Sequence, residues 1–245
     1  MKKLNQRIKE HLGFAGNEYE ASINGTVDIA LAIAIYAHKD QKRENGKPYY
    51  THPISCMGLY RNFVGIVEGK HDCIDLDLMD CFDIPFHGVQ EVALLHDVLE
   101  DTDVTLLEIE EAFDEFGYKS YFNLYIKQAL LLITHDKSES YEIYIDKLLC
   151  NPIASICKMM DLTDNMNMLG LCRLTDAELD RTIRYAKYFK QINDKWRFIE
   201  NLQEYIFART KDKEWWDRIR KESPGMSAKE IARKAHLVDL SFDWD

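Results

Sequence analysis

The sequence predicts an all-α protein, because its apolar residues recur at intervals of three and four and do not alternate. Helix-ending signals support this class: Gly117 follows one apolar segment, and Asn151-Pro152 separates two others. Thr105 and Glu108 form a capping-box pattern, which predicts that a helix begins beside Thr105. The predicted helices span residues 4–13, 20–40, 53–63, 88–100, 105–116, 121–133, 138–149, 152–168, 176–192, 194–210, 213–221 and 227–236.

Composition restricts the class of function. The 245 residues are 46% apolar, which is ordinary for a globular protein, and their formal net charge is −11. An acidic chain is not expected to bind a nucleic-acid duplex or an anionic membrane, because both need a clustered basic surface. The most apolar run, residues 29–37, is too short to span a bilayer, and the six cysteines have no C-x-x-C spacing. We therefore expect a cytoplasmic protein with reduced thiols.

The most informative segment is residues 93–102, where ionisable side chains interrupt an apolar helix pattern. In a continuous helix His96 lies above Glu100, and Asp97 lies above Asp101, because residues four apart share a face. Such a convergence at the edge of a core predicts a metal-dependent hydrolase. The alternative is an acidic, solvated helix face.

A second segment ends in His52, directly before Pro53. Proline is tolerated at the first position of a helix, so His52 is predicted to cap a helix that begins at Pro53, with its imidazole exposed. Such a histidine is available as a ligand. The alternative is a histidine that only completes the turn.

A third segment places Lys158, Asp161 and Asn165 on one face of an apolar helix. A buried carboxylate needs a partner, because leaving it unpaired costs several kcal/mol. The partner is either a metal ion or Lys158, in an internal salt bridge.

Together the three segments offer two imidazoles, from His52 and His96, and two carboxylates, from Asp97 and Asp161. Mixed nitrogen and oxygen donors suit Mn²⁺, Fe²⁺ or Zn²⁺, and four ligands leave positions open for water and a phosphate oxygen. One turn further along the first segment, Glu100 or Asp101 could orient or deprotonate the water.

Along the chain, three motifs occur in this order: His52-Pro53, then His96-Asp97 followed by Glu100-Asp101, and then Lys158-x-x-Asp161-x-x-x-Asn165. Over roughly residues 25–195 the chain resembles the HD-superfamily hydrolase domain of the RelA/SpoT proteins and of the stand-alone small alarmone hydrolases. The resemblance implies a helical domain that binds one Mn²⁺ through His52, His96, Asp97 and Asp161. It also implies removal of the 3′-pyrophosphate from ppGpp or pppGpp, which gives GDP or GTP and pyrophosphate.

The same resemblance implies roles for further residues. Glu100 and Asp101 would act on the attacking water, while Arg43 would hold the base or a phosphate and Asn165 would contact the ribose. A later Arg181-x-x-x-Tyr185 segment would meet the distal phosphates. The residues that could make the pocket basic are Lys42, Arg43, Lys47, Lys158, Arg181 and Arg184.

Two departures from the family pattern keep other functions open: Asp40 replaces a common glycine, and Glu44 follows Arg43 where a second basic residue is usual. One alternative is an HD phosphohydrolase for NADPH or an RNA 3′ end. Another is a non-catalytic regulatory module, and a homo-oligomer is compatible with each function.

We expect a hydrolase domain over residues 1–195 with a peripheral acidic insertion at about 63–87. Residues 196–245 would form a helical extension packed on the core or at an interface.

Overall fold

The computed structural model describes residues 2–64, 82–170, 173–209 and 211–240. Its helices are α1 (Leu4–Leu12), α2 (Glu18–Ser22), α3 (Thr26–Ala37), α4 (Thr51–Phe63), α5 (Val89–Leu95), α6 (Val98–Asp101), α7 (Leu106–Glu115), α8 (Lys119–Tyr121), a π-helical turn (Phe122–Ile126), α9 (Lys127–Ile133), α10 (Tyr141–Leu148), α11 (Pro152–Asn165), a 3-10 turn (Met168–Gly170), α12 (Asp176–Trp196), α13 (Phe198–Arg209), α14 (Lys213–Glu222) and α15 (Ala228–Leu240). Within these ranges the only β pairing is an isolated bridge between Lys42 and Pro48. The predicted all-α class is confirmed.

Four helices form the central layer that positions the site. Helix α3 is apolar almost all round, and its Ile29 and Ile33 are fully buried, as expected for a helix that has neighbours on several sides. Helix α5 packs against α3, α4 and α11, and buries Val92 and Leu95. The polar ends of α4, α5 and α11 therefore meet above a continuous apolar core. Among the described helices, none combines the length and the apolarity needed to cross a membrane.

Several predicted helix boundaries agree with the structure because local caps fix them. The capping box is present: the Glu108 amide donates to Thr105 Oγ1 (3.3 Å), and the Thr105 amide donates to Glu108 Oε2 (2.9 Å). Asn151 Oδ1 accepts a hydrogen bond from the Ala154 amide (2.9 Å) and caps α11, with Pro152 at its first position.

Two long helix predictions are wrong in detail. The segment predicted as one helix over 20–40 is two helices, since the Asn24 amide donates to Asp28 Oδ2 (2.8 Å) and starts α3 afresh after Gly25. The segment predicted over 88–100 is also two helices: α5 ends at Leu95, and His96 and Asp97 form a turn before α6. The predicted stacking of residues 96 and 97 over 100 and 101 in one unbroken helix is therefore wrong.

The environment of His52 also differs from the prediction. Helix α4 begins at Thr51, so His52 lies in its first turn and does not cap a helix that starts at Pro53. Its side chain is 4% exposed, which contradicts the expected exposed imidazole. Packing of α4 against α5 and α11 covers it, and sequence spacing within one segment cannot reveal that packing.

The C-terminal helices share the core of the preceding helices. Phe198 and Tyr205 are fully buried, and the Trp196 indole N–H donates to Ser155 Oγ (3.0 Å) on α11. From the predicted insertion, Phe82 and Ile84 are buried in the same core. Residues 65–81, with most of the predicted acidic loop, lie outside the described ranges, as do Cys73, Cys81, Cys172 and Trp244. The remaining cysteines, Cys56, Cys150 and Cys157, are free thiols.

Candidate active site

Four side chains predicted from the sequence meet where α4, α5 and α11 converge. His52 Nε2 lies 3.3 Å from His96 Nε2 and 3.1 Å from Asp161 Oδ1. Asp97 Oδ2 lies 3.2 Å from His96 Nε2 and 3.6 Å from His52 Nε2. His96 Nε2 is 3.7 Å from Asp161 Oδ1. The structure thus gathers two nitrogens and two oxygens around one point.

The hydrogen bonds of the imidazoles define which nitrogen faces this point. His96 Nδ1 lies 2.8 Å from the carbonyl oxygen of Ala93, which can only accept, so Nδ1 carries the proton. His52 Nδ1 lies 2.7 Å from Asp164 Oδ2, and the same argument assigns it a proton. When the imidazoles are neutral, both Nε2 atoms therefore carry lone pairs, and these two atoms lie 3.3 Å apart. Two lone pairs and two carboxylates in a buried site need a cation between them.

The pKa values of His96 and Asp161 depend on the balance between burial and the neighbouring charges. Burial disfavours the charged form of His96, but the carboxylates of Asp97 and Asp161 outweigh it and raise the pKa of His96 well above its usual value. Burial likewise opposes ionisation of Asp161, yet the ammonium of Lys158 and the two histidines hold its pKa well below the usual range. The site therefore stabilises positive charge at its centre and negative charge on its oxygens.

This donor set fits a divalent transition metal. Ligand atoms about 2.1 Å from one ion are roughly 3.0 to 3.4 Å apart in octahedral or tetrahedral geometry. The separations of 3.1 to 3.7 Å between the four donors are close to that range. Cys56 Sγ also lies within 4.8 Å of donors on His52, His96 and Asp161. Burial, together with the carboxylates of Asp161 and Asp164, raises the pKa of its thiol well above normal.

Neighbouring polar groups hold the two carboxylates in place. The Tyr49 hydroxyl donates to Asp97 Oδ2 (2.8 Å). Asn165 Nδ2 donates to Asp161 Oδ1 (2.6 Å), while Lys158 Nζ lies 2.7 Å from Asp161 Oδ2. Such contacts orient the ligands of metal sites and commonly affect metal affinity.

Asp164 is a functional residue that the sequence analysis missed. Its Oδ2 accepts hydrogen bonds from His52 Nδ1 and from Arg43 Nη1 (2.9 Å), and the Ser55 hydroxyl donates to its Oδ1. Burial opposes its ionisation, but the bonds from His52 and Ser55 and the charge of Arg43 lower its pKa to about 2. Its spacing three residues after Asp161, on the same face of α11, was a signal that could have identified it.

A polar cavity of about 250 Å³ opens beside His52. The residues on its wall that were predicted to bind substrate are Lys42, Arg43, Asn165, Arg181 and Tyr185. Lys158, also predicted to bind substrate, instead lies behind Asp161, with its ammonium 5.3 Å from the ring centre of Tyr144. The internal salt bridge left open by the sequence is therefore present, and Lys158 supports the carboxylate from its far side.

The predicted water-activating pair lies on α6, after the turn at His96 and Asp97. Glu100 Oε2 accepts a hydrogen bond from the His135 amide (3.2 Å), and the Asp101 carbonyl oxygen accepts one from Gln41 Nε2 (2.7 Å). Lys137 Nζ lies 3.8 Å from Glu100 and 3.7 Å from Asp101. Both acids line a second cavity, of about 610 Å³, and neither belongs to the four-donor cluster.

The sequence of this chain is similar to those of several known proteins. No protein-family model matches the chain. Over 147 residues, 60% of the chain, it is 30% identical to the guanosine-3′,5′-bis(diphosphate) 3′-pyrophosphohydrolase of Aquifex aeolicus, of which the match covers 18%. It is 26% identical over 170 residues, 66% of the chain, to the mouse guanosine-3′,5′-bis(diphosphate) 3′-pyrophosphohydrolase MESH1, of which the match covers 80%. It is 30% identical over 150 residues, 59% of the chain, to the bifunctional (p)ppGpp synthase/hydrolase SpoT of Escherichia coli, of which the match covers 18%.

The described residues form an all-α fold in which two histidine and two aspartate side chains meet. The chain is similar in sequence to hydrolases of the RelA/SpoT group, and the resemblance predicted from its motifs is confirmed. The chain spans about a fifth of the length of the Aquifex and Escherichia relatives and four fifths of MESH1.

Proposed function

We propose that this protein is a metal-dependent hydrolase that removes the 3′-pyrophosphate of ppGpp and pppGpp. The products are GDP or GTP and pyrophosphate. The observation that carries the proposal is the cluster of buried His52, His96 and Asp161 with partly buried Asp97, adjoining a cavity lined by Arg43 and other basic side chains. Two of the relatives are named as 3′-pyrophosphohydrolases of the same guanosine nucleotide, and the third as a (p)ppGpp synthase/hydrolase.

We assign the four clustered side chains as the ligands of one divalent cation. Manganese is the ion we propose, with Fe²⁺ and Zn²⁺ as alternatives compatible with the same donors. A bound cation supplies Lewis acidity, which polarises the scissile phosphate and makes water a better nucleophile. The alarmone is the partner we propose for this site, and the free thiols of Cys56, Cys150 and Cys157 support a cytoplasmic location.

The cavity accounts for the binding of a polyanion. The guanidinium groups of Arg43 and Arg181 lie on its wall, and Arg43 is anchored by Asp164 at 2.9 Å. Arginine forms paired hydrogen bonds to phosphate oxygens, so these two residues would hold the phosphates. Tyr185 and Asn165, also on the wall, would contact the distal phosphates and the ribose.

In the proposed reaction the oxygen of water bonds to the phosphorus attached to the ribose 3′ oxygen, and the bond to that 3′ oxygen breaks. The proton of the water passes to Glu100 or Asp101, and the departing 3′ oxygen takes up a proton. The carboxylates of Glu100 and Asp101 lie 3.8 Å and 3.7 Å from Lys137 Nζ, on the helix that follows the turn at His96 and Asp97.

The test is to incubate the Mn²⁺-loaded protein with ppGpp, pppGpp, NADPH and GTP and to follow the release of pyrophosphate or phosphate. We expect pyrophosphate from the two alarmones, no release with Asp97→Ala, and full release with the exposed-site control Asp217→Asn. Turnover of NADPH alone would replace the proposal with the alternative of a different nucleotide substrate. No turnover with any of the four would contradict catalysis on this substrate class.

A further inference from the structure

A separate cavity of about 600 Å³ lies where the C-terminal helices meet the preceding core. Its wall includes Pro85, Pro152, Trp196, Asn201 and Arg233. No described residue lines both this cavity and the 250 Å³ cavity beside His52. Its volume falls in the range of about 300 to 1,000 Å³ that is usual for small-molecule sites.

The lining of this cavity is positively charged, although the whole chain has a net charge of −11. Its basic residues are Lys195, Arg197, Lys229 and Arg233. They face two carboxylates, since Lys229 Nζ lies 2.5 Å from Asp83 and Arg233 Nε lies 2.8 Å from Glu204. Arg197 Nη2 also lies 3.9 Å from Glu204 Oε1. Among the described residues, four cations against two carboxylates leave an excess of positive charge, which an anionic ligand would neutralise.

Two helix N-termini reinforce this field. Helix α11 begins at Pro152, and α13, which is twelve residues long, begins directly after Arg197. Pro152 and Arg197 both line the cavity. The first turn of a helix carries a partial positive charge, which adds to the attraction of an anion, while Asn151 and Asn193 already accept hydrogen bonds from first-turn amides of the two helices.

The lining also offers contacts for a group other than phosphate. Asn201 lies on the wall and is 2% exposed, and its side-chain oxygen has no hydrogen-bond partner among the described residues. An unpaired buried acceptor is unusual in a folded protein, and an N–H or O–H group of a ligand would satisfy it. Trp196 and Pro85 provide apolar surface beside it.

We propose that this cavity binds a phosphorylated small molecule of nucleotide size, at a site distinct from the active site. The phosphates would lie against Lys195, Arg197 and Arg233, and the remainder against Trp196 and Asn201. The proposal does not depend on the identity of the substrate, because it concerns binding at residues that take no part in the proposed hydrolysis.

The test is calorimetric titration of the full chain with GTP and with inorganic tripolyphosphate, in chelator, so that no metal-dependent turnover occurs. Lys195→Glu reverses an exposed charge on the cavity wall, and Lys213→Glu makes the same change at an exposed position of α14 outside it. Arg43→Ala removes a contact of the active-site cavity and identifies any binding there.

We expect saturable binding that Lys195→Glu weakens at least tenfold, while Lys213→Glu changes it less than twofold. Tighter binding of GTP than of tripolyphosphate would show that the nucleoside is recognised as well, and equal binding would limit recognition to the phosphates. The proposal is overturned if no saturable binding occurs, if Lys195→Glu has no effect, or if only Arg43→Ala abolishes binding.

Discussion

Replacing Asp164 by asparagine tests how the active site is held together. The substitution keeps the size and one acceptor oxygen of the side chain but removes its charge. In the native protein that charge is shared between His52 Nδ1 at 2.7 Å and Arg43 Nη1 at 2.9 Å. We therefore expect Asp164→Asn to lower both the stability of the fold and the rate of the reaction.

The magnitude follows from the pKa of Asp164, which is lowered from 3.8 to about 2 in the folded state. A lowered pKa means that folding favours the ionised form, so the stabilisation is complete above pH 3.8 and is lost as the pH falls through 2. A difference of nearly two pKa units corresponds to about 2 kcal/mol of unfolding free energy at pH 7, and to about half of that at pH 3.

The assay is urea unfolding of the metal-free protein at pH 7, 5 and 3, with Asp217→Asn as the exposed control. The loss for Asp164→Asn should shrink as the pH falls, while the control stays within about 0.5 kcal/mol of the native protein. The reaction rate of the metal-loaded variant should fall by about ten- to a hundredfold, since His52 loses its charged partner. An unchanged midpoint at pH 7 would refute the assigned role of Asp164.

Three further substitutions address the other proposed roles. Arg43→Ala should raise KM for the alarmone at least tenfold, because it removes a cation from the cavity wall; an unchanged KM would remove Arg43 from substrate binding. Lys158→Met should weaken Mn²⁺ binding by about ten- to a hundredfold in a titration, because Asp161 loses a partner at 2.7 Å; native affinity would contradict this support. Glu100→Gln should retain the metal but lose about a hundredfold in kcat, as expected for a lost general base, and full activity would transfer the role to Asp101 or abolish it.

The sequence predicted the elements that depend on local signals. The helix starting after Thr105 and the break at Asn151-Pro152 were predicted correctly, because the side chains that cap these helices lie within three residues of the backbone they bond. The gathering of His52, His96, Asp97 and Asp161 was also anticipated, because polar residues in apolar segments must find partners.

Features that depend on packing between helices were not predicted. The turn at His96 and Asp97 interrupts a segment whose apolar spacing is helical throughout, so the spacing gave no sign of it. The burial of His52 arises from helices far away in the chain. The role of Asp164 also depends on a residue far away in the chain, because its hydrogen bond to Arg43 joins residues 121 positions apart.

The most direct test of the central claim is the manganese content of the purified protein after chelation, reloading with Mn²⁺ and removal of excess metal. We predict about one ion per chain for the native protein and for the control His11→Ala, whose imidazole lies on α1 away from the cluster. His96→Ala should bind less than about a tenth of that, because the cluster loses one of its two nitrogen donors. A full equivalent of manganese in His96→Ala would contradict the proposed metal site and the hydrolytic function based on it.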